Sequence, residues 1–202
     1  MIKDSGDEMD PHIWMDVAGW MRALGAVSDT LRSFDPLFES HYSERAGSYM
    51  VTLEKLDGYV REVMQSIPSE HRVLVTAHDA FGYMARAYGV EVHGIQGLST
   101  EAKPGLRDVE LLVDFVVERE IPAVFVESSV SRKSVEALVE GAKAQGHVVV
   151  VGGQLFSDSM GPAGSYEGTY VGMIEHNVNT IARALGGIVP VGGFRQWRER
   201  RQ

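Results

Sequence analysis

The chain has 202 residues, no cysteine, 44% hydrophobic residues and a formal net charge of -9. A length and composition of this kind support one domain or one and a half with a real core. The acidity argues against nucleic acid and anionic membrane surfaces as partners, and the absence of Cys rules out disulfides, thiolate metal sites and thiol nucleophiles. No run of 18 apolar residues is present, so a membrane-spanning segment is not expected. The start, Met1 to Asp10, is polar and acidic, reads as a loop, and lacks the apolar centre and cleavage site of a signal peptide. On that reading the chain as given would stay in the cytoplasm.

In Asp10-Pro11-His12-Ile13-Trp14, Pro11 biases Asp10 to an extended conformation and sets the turn before His12. Val17, Trp20, Met21, Leu24, Val27, Ser28 and Leu31 recur at helical spacing, with Asp16 placed to cap the start. Asp35-Pro36 opens the next element. From Leu37 to Ile67 apolar residues continue at helical spacing without a proline. This pattern fits one helix of about 30 residues, about 45 Å long, or a hairpin broken near Gly47. The absence of a turn cluster favours the single helix, a spine between two lobes.

From Arg72 the pattern changes to alternating strands and helices. Strands are expected over residues 72–76, 90–95, 123–126 and 148–151, and helices over 79–88, 105–119, 132–145 and 169–185. Such repetition predicts a four-stranded parallel sheet with right-handed crossovers. Gly152-Gly153 is expected to follow the last strand, residues 154–168 to form a long loop with a job, and the basic end from Phe194 to fray.

Three metal-binding side-chain types fall at expected element ends: His12 before the first helix, His78 between the first strand and its helix, and Asp158 in the long loop. Such crests bind ligands in open α/β sheets. Two imidazoles and a carboxylate suit Zn²⁺, Mn²⁺ or Fe²⁺. Read alone, each has a bland alternative; His12 fits a turn histidine and His78 a helix-capping one. Glu127, at a strand end, fits either a residue supporting a metal ligand or a core hydrogen-bond acceptor.

Five motifs occur in order: Asp10-Pro-His-Ile-Trp14, Thr76-Ala-His-Asp-Ala-Phe81, Phe125-Val-Glu-Ser-Ser129, Leu155-Phe-Ser-Asp-Ser159 and Glu167-Gly-Thr-Tyr-Val-Gly-Met173. Together they resemble the solute-binding receptors of zinc/manganese/iron ABC importers, in which a long helix joins two α/β lobes. The resemblance runs from about residue 10 to about residue 187. It implies the end of a first lobe at 1–34, the linking helix at 35–68, a complete C-terminal α/β lobe at 69–187 and a tail at 188–202.

The family holds its metal between the lobes with four side chains. The resemblance assigns His12 as the second, His78 as the third and Asp158 as the fourth, with His78 marking the manganese/zinc type. The first ligand, a histidine early in the first lobe, has no counterpart upstream of His12. His41, His71, His93, His147 and His176 do not fall in its motif, and His93 is the least implausible substitute. The chain therefore reads as a fragment or as one begun at an internal Met, with weakened metal binding and apolar surface exposed around Trp14 and Trp20 that favours self-association.

The resemblance implies a non-enzymatic role, capture of a Zn, Mn or Fe cation and delivery to a membrane permease. Family members of this kind work in the periplasm or anchored outside the cell. A metal-dependent hydrolase is the alternative of another class, since an open three-ligand site can activate water. No His-Glu-x-x-His helix supports it. Nucleotide binding lacks both a glycine fingerprint and a phosphate loop. A truncated gene product without function is the remaining reading.

Overall fold

The computed structural model describes residues 9–98 and 105–201. The acidic segment 1–8, taken from sequence as a loop without a signal peptide, lies outside the described residues, as do 99–104 and 202.

A 3-10 turn, Ile13–Met15, leads into α1, Val17–Phe34. A second 3-10 turn with Pro36 at its first position joins α1 to α2, Glu39–Gln65. The long helix is therefore continuous through Gly47 and Gly58, and its 27 residues span about 40 Å at about 1.5 Å per residue. Its buried residues, Leu53, Leu56, Tyr59, Val60, Val63 and Met64, lie in the second half. The first half packs against α1 as an antiparallel helical hairpin.

The remaining elements alternate: β1 Val73–His78, α3 Gly82–Tyr88, β2 Glu91–Gln96, α4 Leu106–Glu118, β3 Ala123–Glu127, α5 Lys133–Ala144, β4 Val150–Leu155 and α6 Tyr170–Ala184, with a last helix, α7, at Gly193–Glu199. β1 pairs with β2 and β3 with β4, both in parallel, and β1 lies alongside β3. The expected four-stranded sheet is thus two hydrogen-bonded parallel pairs set side by side. At the end of the β1–β3 seam the His78 amide bonds to the side chain of Glu127, where a strand carbonyl would serve in a continuous ladder.

β1 and β3 are buried on both faces, as their apolar sequences require. Leu74, Ala123 and Phe125 face a core shared with α1, α2, α3, α6 and α7. Val73, Val75, Ala77, Val124 and Val126 face a second core shared with α4 and α5. The result is a sheet layer between two helical layers.

The sequence expectations fail in three places. The last strand lies at 150–155 rather than 148–151, and Val148 is exposed. Its glycines are inside the strand because α6 presses on them. A Cβ on Gly152 would stand 2.6 Å from the Ala184 Cβ, and one on Gly153 would stand 2.5 Å from Thr180. The pairing skips Gly152 at this point, a β-bulge. Second, the end of the chain is not frayed among the described residues. Phe194 and Trp197 of α7 are buried, with ring centroids 5.6 and 5.5 Å from that of Tyr59 on α2. Third, Asp16 occupies the N-cap position of α1 without a capping bond. Its carboxylate turns to Arg22 and Arg86, at 3.7 and 3.6 Å.

Candidate metal centre

His78 is the last residue of β1 and fully buried. Its position depends on close strand packing. Gly94 of β2 lies opposite Thr76, and a Cβ there would stand 2.7 Å from the His78 carbonyl carbon and 2.5 Å from the Asp79 amide nitrogen. Only a residue without a side chain lets β2 approach the end of β1 so closely. On the other side, Glu127 at the end of β3 takes the His78 backbone N–H at 2.8 Å with Oε1. Its Oε2 stands 2.7 Å from His78 Nδ1, an ion-pair contact that is not a well-directed hydrogen bond.

His12 precedes the first 3-10 turn and is also buried. Asp10 accepts its backbone N–H at 2.8 Å and lies 2.7 Å from its Nδ1, using the same Oδ1. The two imidazoles are thus supported alike: each has a buried carboxylate at Nδ1. Their centroids lie 5.4 Å apart, edge to face. Trp14 packs edge-on to His12 and donates its indole N–H to the Ser157 carbonyl at 2.9 Å, tying this turn to the last loop.

That loop is fixed at its start by Asn177 of α6. Its side chain accepts from Phe156 N at 2.9 Å and donates to Phe156 O at 2.7 Å. Two residues on, Asp158 reaches both histidines, with Oδ1 3.2 Å from His12 Nε2 and Oδ2 3.4 Å from His78 Nε2. The structure therefore brings all three sequence-predicted residues together. One donor atom from each lies within 4.8 Å of the other two.

The electrostatics of this arrangement call for a cation. A carboxylate at Nδ1 favours the proton there and leaves the Nε2 lone pair exposed. Both lone pairs then face oxygen lone pairs of Asp158, a repulsive array unless a proton or a metal ion lies between them. Among the described residues the buried His78 Nε2 has no hydrogen-bond partner, an unusual cost for a core nitrogen. A four-coordinate Zn²⁺ with bonds of about 2.0–2.1 Å has ligand atoms about 3.3–3.4 Å apart, close to the two spacings found. The residues present fit a divalent transition metal.

Protonation follows the same logic. Burial pushes the His78 imidazolium down, but the Glu127 carboxylate, then Asp158 and Asp79, more than reverse this, and the net shift is upward.

The other histidines lie apart from the cluster. His93 bonds to Glu91 at 2.8 Å and packs on Phe115, so it is not a substitute donor. His147 and His176 bond to the carbonyls of Ile121 and Gln154. Sequence reasoning missed the role of Asp10; its place two residues before His12 in an Asp-Pro-His turn was the available signal.

Residues 2–184 match the family model of the periplasmic zinc-uptake complex component A. The chain belongs to that family. It is 51% identical over 178 residues to the zinc-binding protein TroA of Treponema pallidum and 49% identical over 180 residues to the manganese-binding lipoprotein MntA of Bacillus subtilis. These alignments cover 88% and 89% of this chain but 58% and 59% of those relatives, so the chain spans under two thirds of their length.

Among solved structures, periplasmic zinc-binding TroA of Treponema pallidum superposes with a TM-score of 0.88 at 49% identity, covering 91% of this chain and 66% of that one. Fe(III)-bound YtgA of Chlamydia trachomatis gives 0.86 at 27% identity, over 94% and 67%. The fold is that of the two-lobe metal receptors, a family of substrate-binding transport proteins. Among the described residues no helix is long and apolar enough to cross a membrane.

Proposed function

We propose that this chain carries the C-terminal half of a divalent transition-metal receptor for an ABC importer. His12, His78 and Asp158 bind Zn²⁺, Mn²⁺ or Fe²⁺ as cargo, and the receptor presents it to a membrane permease. The observation that carries this reading is the convergence of two carboxylate-backed Nε2 atoms on one acidic side chain. Zinc, manganese and iron all appear among the names of its relatives. Three protein donors leave an ion of coordination number four or more open to water or to a further donor.

In this account residues 1–34 are the remnant of a first lobe, 35–68 the linking helix, 69–187 the second lobe and 188–202 a tail whose α7 packs on the link. The working location is that of the named relatives, periplasmic or lipid-anchored, in place of the cytoplasm suggested by the first ten residues. The role is binding without catalysis. Asp10 and Glu127, the carboxylates at the Nδ1 atoms of His12 and His78, are both committed to those rings, which disfavours a hydrolase that needs a free base.

Trp14 and Trp20 are half-buried, and the apolar surface available for self-association lies instead along the second half of α1 and in the 3-10 turn after it. Phe34 is 86% and Leu37 92% exposed, and Val27 and Phe38 add to them. Sedimentation at rising concentration tests that part of the proposal.

Titration calorimetry with Zn²⁺ and Mn²⁺ on the wild-type chain and on His78→Ala tests the receptor reading. Binding by the wild type and a loss of at least tenfold in the variant are expected. Equal binding by both would remove His78 from the site.

A further inference from the structure

Residues 193–201 hold four arginines against one glutamate, in a chain whose net charge is -9. The family match stops at residue 184, and α7 packs on α2 and α6, away from the three metal donors. Phe194 and Trp197 turn inward, which leaves the arginines on the flanks and outer side of the helix. Arg195, Arg200 and Arg201 are exposed. Arg201 is engaged by Glu62 at 2.7 Å. Arg200 donates to a backbone group, the Val191 carbonyl, at 3.4 Å, which leaves its charge in place.

The loop before α7 supplies the other half of this surface. Ile188 is 73% and Val191 81% exposed, while Val189 between them packs on the core. The loop is tied down: Ile188 N donates to Ser66 Oγ at 2.7 Å, and Gly193 N closes a turn onto Pro190 O at 3.0 Å. Two aliphatic side chains are thus held out in water, with Arg200 on the backbone of one. Ser66 caps the end of α2 ahead of β1, whereas His78 ends β1. The surface therefore lies at the opposite end of the sheet from the metal centre, separated by the length of β1, about 20 Å at about 3.3 Å per residue.

Aliphatic groups beside arginines fit a lipid surface. Guanidinium groups bind phosphate with several N–H donors at once, and the apolar side chains enter the boundary between headgroups and acyl chains. A nucleic acid or a free phosphate would use the arginines and leave Ile188 and Val191 in water. The net acidity of the chain does not forbid such a contact, because salt screens exposed charges beyond about 8–10 Å. A headgroup at α7 meets the local field rather than the sum. We infer that the α6–α7 loop and α7 form a peripheral contact for anionic phospholipid bilayers, independent of the metal centre.

The test is co-sedimentation of the full chain with vesicles of phosphatidylglycerol mixed with phosphatidylcholine, and with vesicles of phosphatidylcholine alone. Binding to the anionic vesicles only, lost at high salt, is expected. Arg195→Gln combined with Arg200→Gln should weaken it about 25-fold, at about fivefold for each basic residue near such a surface, while the two Lys replacements keep most of it. Ile188→Ser combined with Val191→Ser should weaken it about tenfold through lost apolar burial. All four residues are exposed, so no core cavity is made. No binding to anionic vesicles, or equal binding to both compositions, would overturn the inference. So would an aliphatic variant that binds like the wild type, which would leave a polyanion site of the kind a nucleic acid fills. Displacement by inorganic phosphate at constant ionic strength would overturn it in favour of a discrete ion site. Binding should persist with a metal chelator present, so a chain that takes up no metal would sink the receptor reading and leave this contact standing.

Discussion

Glu127 touches His78 twice, at the backbone amide with one oxygen, 2.8 Å away, and at the ring Nδ1 with the other, 2.7 Å away. One buried carboxylate therefore sets both where the imidazole sits and which of its nitrogens is free. Glu127→Gln keeps the size but offers an amide N–H to the ring. The proton then favours Nε2, the nitrogen aimed at the cargo. Zn²⁺ affinity in titration calorimetry is expected to fall by about 10–100-fold, with the urea midpoint changing little. Glu127→Ala should in addition destabilise the fold by about 1–3 kcal/mol, because the buried His78 amide loses its acceptor.

Gly94 is a second support of the same histidine, through space alone. A methyl group there would meet two backbone atoms that cannot swing away, the Asp79 nitrogen and the His78 carbonyl carbon. Gly94→Ala is expected to cost about 1–3 kcal/mol in urea denaturation, the usual range for an overfilled interior. It should also weaken Zn²⁺ binding, since the strand end carrying His78 must shift. Unchanged affinity alongside lost stability would show that the shift is absorbed by β2.

The fold was legible in the sequence wherever periodicity and punctuation agreed. The long α2 helix, the doubly buried β1 and the stop at Gly89, which adopts a left-handed conformation at φ 71°, follow from local pattern. The position of β4 did not. Its glycines read as a terminator, whereas they are there for the approach of α6, a contact between residues about 30 apart that no local pattern encodes. The docking of α7 was hidden for a similar reason. Its two aromatic anchors sit among arginines, so the segment reads as a solvated basic end until Tyr59 is known to face it. At the site, element ends pointed to His12, His78 and Asp158, and to Glu127 as a ligand support or a core acceptor; the Asp10 contact is local and carried a signal in its turn, whereas the approach of Glu127 to His78, 49 residues away in sequence, is made only by the fold.

The α7 dock gives a prediction that separates stability from binding. Trp197→Ala removes a ring packed on Tyr59, and a loss of about 3 kcal/mol is expected, the low end for deletion of a buried aromatic. Among the described residues the buried indole N–H has no hydrogen-bond partner, which offsets part of what the ring contributes. Zn²⁺ affinity measured well below the unfolding transition should stay at the wild-type value, because α7 touches none of the three donors.

The raised His78 ionisation gives opposite pH trends for the fold and for its cargo. Relative to an ordinary value of 6.5, the folded chain holds the proton more tightly. Its contribution to metal-free stability is fully present below about pH 6.5 and is lost as pH rises through the raised folded value. Metal binding requires the proton to leave, so Zn²⁺ affinity should fall as pH is lowered through the same range, with proton release visible as a buffer-dependent binding enthalpy. His78→Gln should abolish the His78 part of both trends.

The account stands or falls on one ion shared by three side chains. An anomalous difference map at the zinc absorption edge, from crystals of this chain grown with Zn²⁺, tests it most directly. The account predicts a strong peak about 2.0–2.2 Å from His12 Nε2, His78 Nε2 and an Asp158 oxygen. A saturated crystal with its zinc elsewhere, or bound to only one of the three, would contradict it.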